Sequence, residues 1–361
     1  MKFQYITISL ILFLTFSGTL SSQTFSVGKY GGDFLSVGGG ARALALGSAY
    51  ASIADDASAV YWNPAGLARL TQLELMYMHS ERFNGVVGYD FASAGFPIKD
   101  TDGVFGVGFM RQAVDGIQNT LDAWNEANGQ PLPNPTAQFS QFSAFDLAFL
   151  ISYAQPFSED KNNSWGVSFK VLHSKIGPFA QTWGYSLDVG IQERDKYYAW
   201  GIAVQDITTM FKFWQTNKQA LKGLENFNDI VPNGQNEQIL PTVKLSAAFI
   251  LPIKNTFEII TVADADIRFE NLQTYYLNVG RTSFEPHVGM EFSFKNLVSV
   301  RGGLTDFYFD DKGKMTFSPT VGLGLGFSRL NLDYGMSSFS GINSDLGNTH
   351  RISLRIKLNP I

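Results

Sequence analysis

The most regular feature of the chain is a two-residue alternation of apolar and polar positions. Ile352, Leu354, Ile356 and Leu358 fall on one face of the last stretch, and Arg351, Ser353, Arg355 and Lys357 on the other. Val321, Leu323, Leu325 and Phe327 oppose Gly322, Gly324, Gly326 and Ser328 in the same way, and Trp165, Val167, Phe169 and Val171 oppose Gly166, Ser168 and Lys170. A period of two separates the faces of a β-strand. Two all-β architectures use such strands, a secreted sandwich and a membrane-spanning barrel. A sandwich core has no use for lysine and arginine on a face that is enclosed in strand after strand. A wet or plugged lumen accepts them, so the pattern favours an antiparallel transmembrane barrel.

Strands are predicted near 73–80, 85–96, 103–112, 143–155, 163–173, 182–191, 197–206, 242–251, 257–269, 284–294, 298–308, 317–327, 330–336 and 349–358. With about fourteen strands the connections alternate. Those after every second strand, at 97–102, 157–162, 193–196, 252–256, 295–296 and 328–329, are short, and the remainder are mostly longer. Short inner turns, long outer loops and an even count are what outer-membrane barrels show. A strand at 274–282 would reverse that parity and is not counted. The two longest loops, 112–141 and 207–241, carry Trp124, Phe211, Phe213 and Trp214, a candidate partner surface, and 220–225 reads as a short amphipathic helix.

Composition fits this picture. Charged residues make up 16% of the chain, aromatics 14%, and the mean hydropathy is -0.02. Alternating lipid-facing and lumen-facing residues cancel in this way without any long apolar run. The N-terminus carries Lys2, an apolar run from Ile6 to Leu14 and then Ser17, Gly18, Ser21 and Ser22. That order reads as a cleaved secretory signal over 1–22, too short for a membrane helix. There is no cysteine, hence no lipid-anchor site, disulfide or thiolate metal site. A net charge of -5 without a basic stripe argues against a nucleic-acid partner.

Between the signal and the first strand, 23–71 reads as a plug of short helices. Asp56 is placed to cap a helix beginning at Ala57, and Asn63 with Pro64 starts a second short turn. Alanines and Gly66 keep both pieces slim enough for a narrow lumen. Arg42 can lock the plug by pairing with Asp55, with Asp56, or with lumen carboxylates such as Asp188 and Asp333; alternatively it is solvated while the two aspartates merely cap. Lys170, Arg351, Arg355 and Lys357 are lumen cations able to guide an anionic head group. No catalytic, metal-binding or cofactor-binding set is expected. His79, His173, His287 and His350 lie on separate strands or strand ends, and alternation puts Ser353 and His350 on opposite faces.

Several blocks resemble one family. Gly40-Ala-Arg-Ala-Leu-Ala-Leu-Gly-Ser-Ala-Tyr50, Asp55-Asp-Ala-Ser-Ala-Val-Tyr-Trp-Asn-Pro-Ala-Gly-Leu-Ala-Arg69, Val300-Arg-Gly-Gly303 and Thr349-His-Arg-Ile-Ser-Leu354 are similar to the PorV/PorQ family, within the FadL-like group of outer-membrane barrels. The resemblance implies a monomeric fourteen-stranded barrel in outer-membrane lipid with an N-terminal hatch. It implies a component of type IX secretion that binds translocon or cargo proteins through its outer loops. The alternative it carries is FadL-like uptake of fatty acids or hydrocarbons past the hatch. Export needs an exposed aromatic loop surface; uptake needs an apolar pocket at the hatch and an interrupted wall strand.

Overall fold

The structure, a computed structural model, describes residues 33–361 apart from 84, 125–129, 158–160, 223–235, 255, 270–275, 310–312, 339–347 and 359–361. The predicted signal at 1–22 lies outside the described residues. In chain order the strands begin with β1 (Leu73–Arg82), β2 (Val87–Pro97), β3 (Val104–Asn119), β4 (Ser140–Pro156), β5 (Asn163–Ile176) and β6 (Ala180–Arg194). They continue with β7 (Tyr198–Gln205), β8 (Met210–Thr216), β9 (Asn236–Ile239), β10 (Thr242–Ile253), β11 (Phe257–Arg268) and β12 (Leu277–Val279). The last are β13 (Thr282–Phe294), β14 (Val298–Phe309), β15 (Met315–Phe327), β16 (Leu330–Ser338) and β17 (Asn348–Leu358).

All are antiparallel, and β17 pairs with β1 from Leu73↔Leu358 to Glu81↔His350, closing the sheet. Closure removes the open edges that would otherwise leave backbone groups unpaired in lipid. The wall is a fourteen-stranded barrel. β7 and β8 share one wall position, since β7 pairs with Val189–Arg194 of β6 and β8 with Ala180–Trp183 of the same strand. β9 and β10 share the next, pairing with β8 and β7 respectively. β12 folds back on the outer end of β13 and adds no wall position, so the parity read from loop lengths holds.

Burial follows the alternation. Inward residues of β6, such as Thr182, Ser186, Asp188 and Gln192, are buried, while Trp183, Tyr185 and Leu187 are exposed on the lipid face. Two loop expectations are corrected. β3 and β4 extend outward to Asn119 and Ser140, which shortens the first long loop. Met210–Thr216, read as loop, is a wall strand whose own alternation was hidden by its separation from β7. Of the helix envisaged at 220–225, Ala220–Lys222 is turn-like and 223–225 lies outside the described residues.

Candidate functional site

Residues 33–72 enter the lumen ahead of β1 as short helical turns: Asp33–Val37, Ala41–Ala45, Ala59–Trp62 and Pro64–Arg69. None is long enough to be stable by itself, because helix nucleation outweighs so few hydrogen bonds. Lumen side chains meet the backbone groups these turns leave open. Ala41 N–H donates to Ser353 Oγ (2.7 Å), Tyr50 and Ala51 N–H to Asp264 (2.9 and 3.1 Å), and Ser52 N–H to Ser246 Oγ (2.9 Å). Gln192 Nε2 donates to the carbonyls of Ser52 and Ala54 (2.9 and 3.0 Å), and Thr320 Oγ1 to that of Ala45 (2.9 Å). The polar inner face is thus a socket for one segment of backbone.

Asn63 does what its position before Pro64 predicts, and more. Its Oδ1 accepts from Ala65 N–H (3.2 Å), while Nδ2 donates to Ala51 O (3.0 Å) and, across to the wall, Ile191 O (3.1 Å). Asp56 departs from expectation: the helix starts at Ala59, and Asp56 Oδ1 instead accepts from Ser58 N–H (3.0 Å) and Ser58 Oγ (2.5 Å), closing a turn ahead of it. Ala57 N–H goes to Glu74 of β1 (2.8 Å). Gly66 packs directly on the Ala54 carbonyl, leaving no room for a side chain.

Wall glycines let the hatch backbone come this close. A Cβ on Gly166, Gly201, Gly289 or Gly335 would sit 2.6 Å from Ala65 N, 2.7 Å from Ala51 O, 2.5 Å from Leu46 O and 2.7 Å from Ala41 O. These four belong to β5, β7, β13 and β16, so the contact runs around the lumen.

Arg42 is the centre of a charge chain. Its Nε and Nη2 donate to Glu291 of β13 (2.9 and 3.1 Å), and its Nη1 to Asp55 (3.0 Å) and Tyr50 OH (3.3 Å). Asp55 continues to Arg194 (2.6 Å), and Glu291 to Arg301, which reaches Asp333 of β16 (2.6 Å). Six groups of alternating sign therefore join β16, β14, β13, the hatch and β6. Burial by itself would raise the Asp55 carboxyl, but Arg42 and Arg194 outweigh it and hold it well below the usual carboxylate range. The predicted latch pairs Arg42 with Asp55 directly, but with Asp333 only through Glu291 and Arg301, and not with Asp56 or Asp188. Asp56 takes Arg355 instead (3.2 Å).

Two of the lumen cations, Lys170 and Arg355, are taken up by carboxylates, and Lys357 lies near one. Lys170 lies between Asp188 (3.1 Å) and Asp206 (2.9 Å), Arg355 is on Asp56, and Lys357 stands 3.9 Å from Glu74. Arg351 is different: only 4% exposed, it leaves Nε and Nη1 without a hydrogen-bond partner. Glu291 and Arg301 are absent from the predicted site residues; alternation along β13 and β14 is the signal that could have placed them in the lumen, but nothing in the spacing links them to Arg42.

Two neighbouring wall positions are interrupted, one between β7 and β8 and one between β9 and β10. Between β7 and β8 the backbone steps through Asp206 and Thr209, both at φ 54. The step is sealed: Asp206 N–H donates to Asp188 Oδ1 (2.8 Å), Ser186 Oγ to Asp206 Oδ1 (2.5 Å), and Ile207 N–H to Leu187 O (2.9 Å). Beyond it Phe211 and Phe213 face outward on the wall, Phe213 being 58% exposed, while Trp214 turns inward. Of the four predicted loop aromatics, Trp124 remains on an outer loop.

Toward the outer end of β3–β5 and β8–β9, above the hatch, lies a cavity of about 320 Å³. Phe34 of the hatch, Gln112, Asp146, Ser174, Lys212 and Trp214 are among the residues lining it.

Residues 17–90 match an uncharacterised protein family, UPF0164. No curated protein matches. Among solved structures the chain is similar to the Pseudomonas putida toluene transporter TodX, at 11% identity and a TM-score of 0.53, over 89% of this chain and 99% of that one. It is also similar to the Ralstonia pickettii toluene transporter TbuX, at 12% identity and a TM-score of 0.53, again over 89% and 99%. At these identities the likeness is one of fold, that of an outer-membrane barrel. These findings support a FadL-like outer-membrane barrel fold and do not by themselves show PorV/PorQ membership.

Proposed function

We propose that the chain is a non-enzymatic outer-membrane barrel that admits small hydrophobic compounds past its hatch. The observation that carries this reading is the division of the lumen. A hatch docked on the wall fills the inner part, and a cavity lined by both aromatic and polar side chains lies above it toward the outer loops. A volume near 320 Å³ suits a single-ring compound and is at the small end of ligand sites. The shared fold with two toluene transporters supports the same class of cargo. Signal cleavage and delivery to an outer membrane are the corresponding localisation. The export reading drew on an aromatic loop surface; with Phe211 and Phe213 on the lipid face and Trp214 in the lumen, it keeps little of that support.

The chain has no native cysteine, which makes the gate directly testable. Ser246 Oγ and Ser52 Oγ are 2.7 Å apart across the hatch–wall contact, so Ser52→Cys with Ser246→Cys should form a disulfide. Cells carrying the barrel should take up labelled toluene faster than cells without it. Oxidation of the cysteine pair should abolish that increment, and a reductant should restore it. No increment in the wild type, or one indifferent to the crosslink, would overturn the reading.

A further inference from the structure

The polar groups of the lumen are unevenly satisfied. Many of those facing the hatch are hydrogen-bonded to it, whereas one row above it holds several adjacent groups that are not. Arg351, Ser80, Tyr89, Gln112, Asp146 and Ser174 are successive cross-strand partners on β17, β1, β2, β3, β4 and β5. Ser80 Oγ, Tyr89 OH, Gln112 Oε1 and Ser174 Oγ are buried without a hydrogen-bond partner. The Gln112–Asp146–Ser174 end of this row opens on the cavity.

Directly paired residues on neighbouring strands bring their side chains about 5 Å apart, so these three form one polar patch. It presents an amide oxygen, a carboxylate and a hydroxyl. Ser174 is 2% exposed, and an unmet hydroxyl that deep is costly unless something bonds to it. No ion pair reaches Asp146 among the described residues. Around the patch stand two aromatic rings, Phe34 from the hatch and Trp214 from β8. The cavity therefore has an apolar body and a polar end rich in acceptors.

Charge decides which donor suits it. Asp146 and Glu237 line the cavity together with Lys175 and Lys212, and Lys212 is held by Glu237 at 3.0 Å and lies over the Trp214 ring at 5.3 Å. Lys212 is taken up by Glu237 and Lys175 is exposed, so a carboxylate head would face Asp146 unscreened, and any charged head pays a desolvation cost that a neutral hydroxyl does not. A neutral hydroxyl both donates to Asp146 or Gln112 and accepts from Ser174. We infer that this cavity is a binding site for hydroxylated single-ring aromatics, with the ring between Phe34 and Trp214 and the hydroxyl on Gln112, Asp146 and Ser174. The inference deepens the uptake reading and rests on it for its cargo class.

Four ring compounds of nearly equal shape test it: toluene, p-cresol, 4-methylbenzylamine and 4-methylbenzoate. Binding to the full chain in detergent micelles is measured by ligand-observed NMR, with protein-free micelles as the partition control. We expect p-cresol to bind about fivefold more tightly than toluene, the equivalent of one net hydrogen bond, and both ions to bind less well than p-cresol. Asp146→Ala and Ser174→Ala should each erase the cresol preference while leaving toluene affinity in place. Retention of the heat-modifiable folded band on electrophoresis checks that the variants are barrels. Equal affinity for p-cresol and toluene, or a preference that survives both substitutions, overturns the site. If toluene crosses the membrane but no cresol preference exists, the site fails while the uptake reading stands. Cresol binding that depends on Asp146, without crosslink-sensitive flux of toluene, upholds the site and removes uptake.

Discussion

The inner and outer parts of the lumen are built from the same alternating strands but spend their polar residues differently. Around the hatch, Ser353, Ser246, Gln192, Thr320 and Asp264 bond backbone groups of residues 41–54, and six charged groups form one chain from Asp333 to Arg194. Above it, Arg351, Ser80, Tyr89, Gln112 and Ser174 keep buried polar atoms without partners. A satisfied network specifies one arrangement and resists change, whereas an unsatisfied one is ready to bind. The contrast teaches that a polar lumen is not one thing: its inner part is the complement of a particular peptide, and its outer part is open chemistry.

Three substitutions break or sharpen that contrast. The largest effect is expected where the hatch has no room to yield. Gly166→Val sets a branched side chain against the Pro64–Ala65 backbone, and overpacking against backbone should cost about 3 kcal/mol or displace the hatch altogether. Urea unfolding in detergent, with protease sensitivity of residues 33–72 as the local readout, measures both. Arg42→Ala comes next. It takes one arginine from both Glu291 and Asp55, although each retains another, Arg301 and Arg194. Breaking a buried pair commonly costs about 3–5 kcal/mol, and the remaining arginines place this change near the lower end, about 3 kcal/mol, in the same unfolding assay. The smallest effect is expected above the hatch. Tyr89 OH is buried without a partner, so Tyr89→Phe removes an unmet hydroxyl and should stabilise the barrel by about 1 kcal/mol. A loss of more than about 1 kcal/mol would mean the hydroxyl is already engaged and would weaken the contrast.

Much of the scaffold was legible because it depends on local periodicity. The faces of β5, β6, β15 and β17 follow from alternation, the even strand number from loop parity, and the Asn63–Pro64 turn from the fixed φ of proline and the capping amide. The failures have a shared cause. Met210–Thr216 looks like loop in the sequence because the step through Asp206–Thr209 separates it from β7, and such a step is held by contacts with β6 that are not local in sequence. Phe211, Phe213 and Trp214 look like one surface for the same reason, whereas a strand sends neighbours to opposite sides. Asp56 follows the helix-capping pattern, yet its tertiary partners, Tyr50 OH (2.9 Å) and Arg355 (3.2 Å), set its place instead.

By itself the sequence determined that this is a closed sheet of alternating strands with a small-residue segment ahead of it, because side-chain direction along a strand is a matter of two-residue period alone. Only the tertiary structure decided which lumen charges meet. Arg42 is 249 positions from Glu291, and their pairing depends on the height at which the hatch docks and on the register of β13 with its neighbours. A period of two tells which face a residue is on; it does not tell how far up the barrel it stands or what faces it across the lumen.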